Sequence, residues 1–120
     1  MKTFILTIML FGASLLAQAQ QDDRIHILEV TTFKDSIAQA KVQLIDVRTP
    51  EEFEAGHIET ALNIDFFSEQ FNADFEKLEK DKPVYIYCKS GNRSGQAAKK
   101  LAEMGFEMIY DLKGGFLNYQ

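Results

Sequence analysis

The stretch Val84-Tyr85-Ile86-Tyr87-Cys88-Lys89-Ser90-Gly91-Asn92-Arg93-Ser94 decides how this chain folds. Its first four residues form an uninterrupted β-prone run, which fits a central strand covered on both faces. Asp81-Lys82-Pro83 makes the turn into it, and Cys88 stands at its end. Lys89 to Asn92 supply a polar loop containing a glycine. From Ser94 to Met104, Ala97, Ala98, Leu101 and Met104 recur at helical spacing, so this segment predicts a helix with Gly105 as its C-cap. Strand, loop and helix in that order predict an α/β domain.

Upstream, Ile25, Ile27, Leu28 and Val30 make a short β-prone segment, and Thr31 or Thr32 can cap a helix carrying Phe33, Ile37 and Ala38. Val42 to Val47 reads as a strand. Pro50 opens a helical turn that Gly56 ends, and Ala61 to Ile64 is a short apolar segment. Phe66, Phe67, Phe71, Phe75 and Leu78 recur as one helix or two broken turns would require. Downstream, Met108 to Tyr110 predicts the next strand, Asp111 to Gly115 a glycine-rich turn, and Phe116 to Tyr119 the start of a short helix. Short strands alternating with helices imply a central parallel sheet flanked by helices. No repeat or linker divides the chain.

The 120 residues are 46% hydrophobic and 26% charged, which leaves room for one domain and excludes a multi-spanning membrane protein. Residues 1–19 read as a signal peptide: Lys2, an apolar run from Phe4 to Ala17, then Ala17-Gln18-Ala19 with cleavage after Ala19. As an anchor that run would cover only about 21 Å of a roughly 30 Å hydrocarbon layer. Residues 20–120, about 101 in number, then form the mature domain, close to the minimum comfortable size. Loss of Lys2 takes 13 basic and 18 acidic residues to 12 and 18, so the formal charge moves from -5 to -6. That balance argues against a nucleic-acid partner. Export predicts the periplasm in a Gram-negative source and secretion otherwise, with no stable membrane insertion; the sequence leaves the oligomeric state open, a monomer being the first expectation.

Cys88 is the single cysteine, so an intrachain disulfide and a tetrathiolate metal site are both excluded. An unpaired thiol is unusual in an oxidising compartment, which suggests that this one is used. The loop behind it closes on a helix N-terminus, where backbone N–H groups and the helix dipole favour negative charge. Gly91 lets the backbone curl without a side chain filling the middle, and Asn92 tolerates similar geometry. Lys89 and Arg93 add positive charge, and Arg93 can present a planar set of donors to an oxyanion such as thiosulfate.

These residues resemble the rhodanese-like sulfurtransferase family in its single-domain form. The resemblance spans nearly the whole mature chain: Leu44-Ile45-Asp46-Val47-Arg48-Thr49-Pro50-Glu51-Glu52-Phe53, Gly56-His57-Ile58, Ala61-Leu62-Asn63-Ile64, Cys88 to Ser94, and Asp111-Leu112-Lys113-Gly114-Gly115. It implies a three-layer α/β domain and a double displacement through Cys88. Cys88 would take the outer sulfur of thiosulfate or a related donor as a persulfide and pass it to cyanide or to a thiol, which could be a protein thiol. The same resemblance gives Lys89, Ser90, Gly91, Asn92 and Arg93 the substrate loop. Asp46, Arg48, His57 and Ser94 become supporting residues, His57 through a structural hydrogen bond. It implies no cofactor and no metal. Thr60 stands where the family pattern usually has glycine and Tyr119 near a position often held by tryptophan, and the last family helix is shortened at Gln120.

Two other readings compete. A cysteine and an arginine around a helix terminus also suit phosphatase or arsenate reductase chemistry, but related phosphatase loops hold five residues between them, whereas Cys88 and Arg93 enclose four. A non-enzymatic persulfide-binding or protein-interaction module is the alternative of a different class. An inactive relative would often lose the cysteine, and this chain keeps it.

Overall fold

The computed structural model describes residues 21–120; the signal peptide expected over residues 1–19 lies outside the described residues. Five parallel strands form one sheet in the order β1-β5-β4-β2-β3, with β1 Ile25–Leu28, β2 Gln43–Asp46, β3 Leu62–Asn63, β4 Val84–Tyr87 and β5 Ile109–Leu112. β4 is central, and all four of its residues are buried, as its unbroken apolar run predicts. Among the described residues no helix is long and apolar enough to cross a membrane.

Alternation along the strands sorts side chains to two faces. Ile45, Val84, Ile86 and Ile109 pack with Cys88 against helix α4 (Asn92–Glu103) and the short helix α3 (Phe71–Phe75). Leu44, Tyr85, Tyr87 and Leu112 pack on the opposite side, against α1 (Val30–Gln39), α2 (Pro50–Ala55) and α5 (Gly115–Tyr119). The result is a three-layer α/β domain with a central parallel sheet flanked by helices. Each fully buried Phe, Ile or Leu contributes about 1.5–3 kcal/mol by leaving water. An aromatic ladder, Phe66 to Phe71 at 5.9 Å, Phe71 to Phe75 at 4.6 Å and Phe75 to Phe106 at 6.2 Å, carries the α3 side.

Several boundaries differ from the sequence expectations. The first helix starts at Val30, so neither Thr31 nor Thr32 caps it; Glu29 occupies that position without a side-chain bond. Val30 joins Phe33 and Ile37 on the stripe facing the core, and that burial outweighs the missing cap. The helix after Cys88 begins at Asn92, two residues earlier than its apolar face indicates. At its other end Gly105 N–H bonds Ala102 O (3.1 Å) and Phe106 N–H bonds Leu101 O (3.1 Å), the glycine-terminated pattern expected there. β5 runs through Asp111 and Leu112, read from sequence as turn. Thr60 adopts φ 74°, a left-handed conformation that a β-branched residue enters only under strain.

The chain leaves β2 toward β3 at one edge and leaves β4 toward β5 on the other side. The loops after β2 and β4 therefore diverge between adjacent strands, the crevice where open α/β sheets bind ligands.

Candidate active site

Cys88 lies in this crevice, 1% exposed, at the end of β4. The chain then turns back on itself: Gly91 takes φ 109°, and its N–H points at Cys88 Sγ from 3.0 Å. A bulkier residue would be strained there, because left-handed backbone opposes a Cβ even where space is open. Asn92 and Arg93 open α4, whose first N–H groups have no acceptor within the helix. The sulfur thus sits at the focus of a curled loop and a twelve-residue helix. Lys89, Ser90 and Asn92 are exposed on the rim, while Ser94 is fully buried, with Oγ 3.3 Å from Gly91 O.

Arg93 is not a free cation. Its Nη1 donates to Glu52 Oε1 at 2.6 Å and its Nη2 to Glu52 Oε2 at 3.0 Å, a bidentate pair of the strong kind. Hydrogen bonding from Arg93 holds the Glu52 carboxyl down to about 2. Glu52 is itself fixed by a capping box at the start of α2, where Thr49 Oγ1 accepts from Glu52 N–H and Thr49 N–H reaches Glu52 Oε1, both at 3.3 Å. Sequence reading placed Glu52 on the helical turn after Pro50 and within a family motif, with no role at the site. Its signal was the Thr49-x-x-Glu52 pattern, which marks a helix start and fixes where the carboxylate stands.

Asp46 and Arg48 form a buried pair at the end of β2. Arg48 Nη2 donates to Asp46 Oδ2 at 2.7 Å and to Gly56 O at 2.7 Å, and Arg48 N–H reaches Asp46 Oδ1 at 2.9 Å. The guanidinium lies 4.3 Å from the Phe116 ring centroid, joining α2 to α5 under the crevice. His57 stacks on Phe53 at 3.7 Å with Nδ1 2.8 Å from Phe53 O, so its exposed ring closes the end of α2.

Asp111 is a buried residue that sequence reading left in a turn. It is 4% exposed, and Oδ1 has no hydrogen-bond partner among the described residues. Burial raises its carboxyl from 3.8 to about 6, while the nearby Ser94 hydroxyl acts the other way. Between those values the folded protein binds more protons than the unfolded chain, so stability falls as pH rises through this window. The loss attributable to Asp111 approaches about 3 kcal/mol above pH 6 and vanishes below pH 4. Asp111→Asn is expected to remove that slope and to be more stable than the parent at pH 7. Urea midpoints at pH 4, 5, 6 and 7 check this, and parallel curves for the two proteins would refute it.

Comparison with known proteins agrees with this geometry. Residues 29–120 match the family model of the rhodanese-like domain. YqhL of Bacillus subtilis is 51% identical over 76 residues, 63% of this chain and 59% of that protein, so the alignment spans under two thirds of its length. A thiosulfate sulfurtransferase, GlpE of Coxiella burnetii, is 36% identical over 80 residues, 67% of this chain and 73% of that one. The crystal structure of SSP1007 from Staphylococcus saprophyticus superposes with a TM-score of 0.70 at 28% identity, covering 79% of this chain and 93% of that one. With its sheet order, its cysteine loop and this match over most of its length, the chain belongs to the rhodanese-like domain family.

Proposed function

We propose that this protein is a sulfurtransferase that carries sulfane sulfur on Cys88. The Cys88 thiolate attacks the outer sulfur of a donor such as thiosulfate. A new S–S bond forms, the donor's S–S bond breaks, and sulfite leaves with its electron pair. A second nucleophile, cyanide or a thiolate, then attacks the outer persulfide sulfur and regenerates the Cys88 thiolate, giving thiocyanate or a new persulfide. The observation that carries this reading is the Gly91 N–H aimed at Sγ from 3.0 Å, in a loop whose remaining amides open a helix. Such a cradle fits an anionic persulfide one atom longer than the thiolate.

The kinship with a thiosulfate sulfurtransferase supports the same chemistry. The pairing of Arg93 with Glu52 counts against a phosphatase, because both terminal guanidinium nitrogens are already engaged. An export signal over residues 1–19 would place the reaction in the periplasm or outside the cell.

Thiosulfate is expected to add one sulfur atom to Cys88, removable by excess thiol and consumed by cyanide. Intact-protein mass spectrometry before and after each addition reads this directly, with Cys88→Ser as the silent control. An unmodified parent protein after incubation with donor would overturn the proposal.

A further inference from the structure

β1 closes one edge of the sheet, and among the described residues no strand lies on its outer side. Its inner side is taken by β5: Arg24 O accepts from Ile109 N–H at 2.8 Å and Leu28 O from Lys113 N–H at 2.9 Å. In a parallel ladder the residues that bond one neighbour alternate with those that turn away from it, so the N–H and C=O of Ile27 point outward. Sheet edges are normally protected by lysine, proline or a bulge. Here the outward residue is an isoleucine, 66% exposed. The other edge, β3, is only two residues long.

Ile25 and Ile27 share one face of the strand, and Ile25 packs against the core on the α4 side. Ile27 therefore stands beside α4, where Lys99, Ala102 and Glu103 form one wall of a groove along the edge. The charges of this groove are balanced. Asp22 is bound to Arg24 at 2.7 Å. Lys99 and Glu103, one helical turn apart and both exposed, have no ion-pair partner among the described residues. An outward-facing backbone, an apolar side chain and one free charge of each sign make a surface complementary to its own image about a two-fold axis.

We infer that two copies of this chain pair β1 with β1, antiparallel, about a two-fold axis at Ile27, in place of the monomer first expected. Ile27 N–H of each copy donates to Ile27 O of the other, and the two side chains meet on the α4 face, where directly opposed β-branched residues stabilise a strand pair. The axis sets the two α4 helices running in opposite directions across the seam, so Lys99 of each copy faces Glu103 of the other. Because every strand of the sheet is parallel, the two Cys88 crevices open at opposite ends of the joined sheet and neither is covered. A seam of one short strand fits a reversible dimer with a dissociation constant on the order of 10–100 μM.

Sedimentation velocity of the parent from about 1 to about 500 μM reads this association. Ile27→Asp is expected to raise the dissociation constant at least about 30-fold, because it sets two carboxylates directly opposite each other. The exposure of Ile27 keeps the fold out of that result, and far-UV circular dichroism at the lowest concentration checks it. Lys99→Glu and Glu103→Lys each place like charges across the seam twice and are expected to raise the constant about fivefold. The double exchange restores both attractive pairs and is expected to return it to within about twofold of the parent. Amide hydrogen exchange at Ile27 is expected to slow from dilute to concentrated protein, as its N–H gains an acceptor. A parent that stays monomeric throughout overturns the inference, whether the edge remains open or is taken by residues 1–20 of the same chain. A dimer indifferent to Ile27→Asp, or a double exchange no better than the single ones, places the contact elsewhere and overturns it equally.

Discussion

Replacing Asp46 with alanine is expected to remove about 3–5 kcal/mol of stability, enough to leave a domain of this size marginal at room temperature. The reason is the charge left behind. Arg48 is 5% exposed, held between Asp46, the Gly56 carbonyl and the Phe116 ring, and without Asp46 its guanidinium has only a neutral acceptor and an aromatic face. The lost carboxylate also accepted the Arg48 N–H and so shaped the exit from β2. The complementary change separates the charge from the space it fills. A double variant, Asp46→Leu with Arg48→Met, removes both charges and is expected to recover most of the loss. Urea denaturation of the parent, Asp46→Leu, Arg48→Met and the double variant closes a mutant cycle, with Asp46→Ala measured beside it. A loss under about 1 kcal/mol in Asp46→Ala would show that Arg48 escapes to water and that the pair contributes little.

The part of the site carried by local sequence was readable, and the part carried by tertiary contact was not. β4, the Cys88 loop and α4 follow from an unbroken β-prone run, a glycine and a three-to-four spacing within some twenty consecutive residues. The partner of Arg93 did not follow, because Glu52 lies 41 residues earlier and its pairing depends on how α2 packs across the crevice. The rim therefore looked more cationic in sequence than it is in the fold.

Phe66 to Leu78 takes the broken form of the two that its spacing allows. The helical spacing of its phenylalanines is real, but the regular helix covers only Phe71–Phe75. Asp65 Oδ1 accepts the Phe67 N–H and Ser68 Oγ the Gln70 N–H, so short polar side chains offer the backbone a turn in place of a helix. The aromatic rings still reach one face of the core, which is why spacing alone does not separate one helix from broken turns. Asp111 was missed for a similar reason: beside two glycines it reads as turn, while pairing with β4 carries the strand through it and buries its carboxylate.

Gly115→Ala is expected to lower the rate of Cys88 sulfur loading at least about 100-fold, per folded molecule, because it displaces the loop that holds the sulfur. Gly115 adopts φ 65°, and a Cβ there would stand 2.5 Å from both the carbonyl carbon and oxygen of Lys89 and 2.6 Å from Cys88 O. Those atoms are backbone and cannot rotate aside. Relief requires α5 and the Cys88 loop to separate, which strains the Phe116 N–H bond to Cys88 O (2.8 Å) and the Leu117 N–H bond to Lys89 O (3.1 Å). The left-handed conformation and the overpacking together cost about 2–5 kcal/mol of stability. The neighbouring glycine supplies the control. Gly114 is also left-handed, at φ 76°, but the atoms nearest a Cβ there belong to Asn118 on α5, its Cβ at 2.9 Å and its Cγ and Nδ2 at 3.3 Å, and not to the backbone of the Cys88 loop. Gly114→Ala is therefore expected to share the conformational cost and to retain most of the loading rate. Loading rates with thiosulfate, normalised to the folded fraction, distinguish the two variants. If Gly115→Ala loads sulfur at the parent rate, the close approach of α5 does not set the geometry of the Cys88 loop, and the strained backbone at Gly115 serves packing alone.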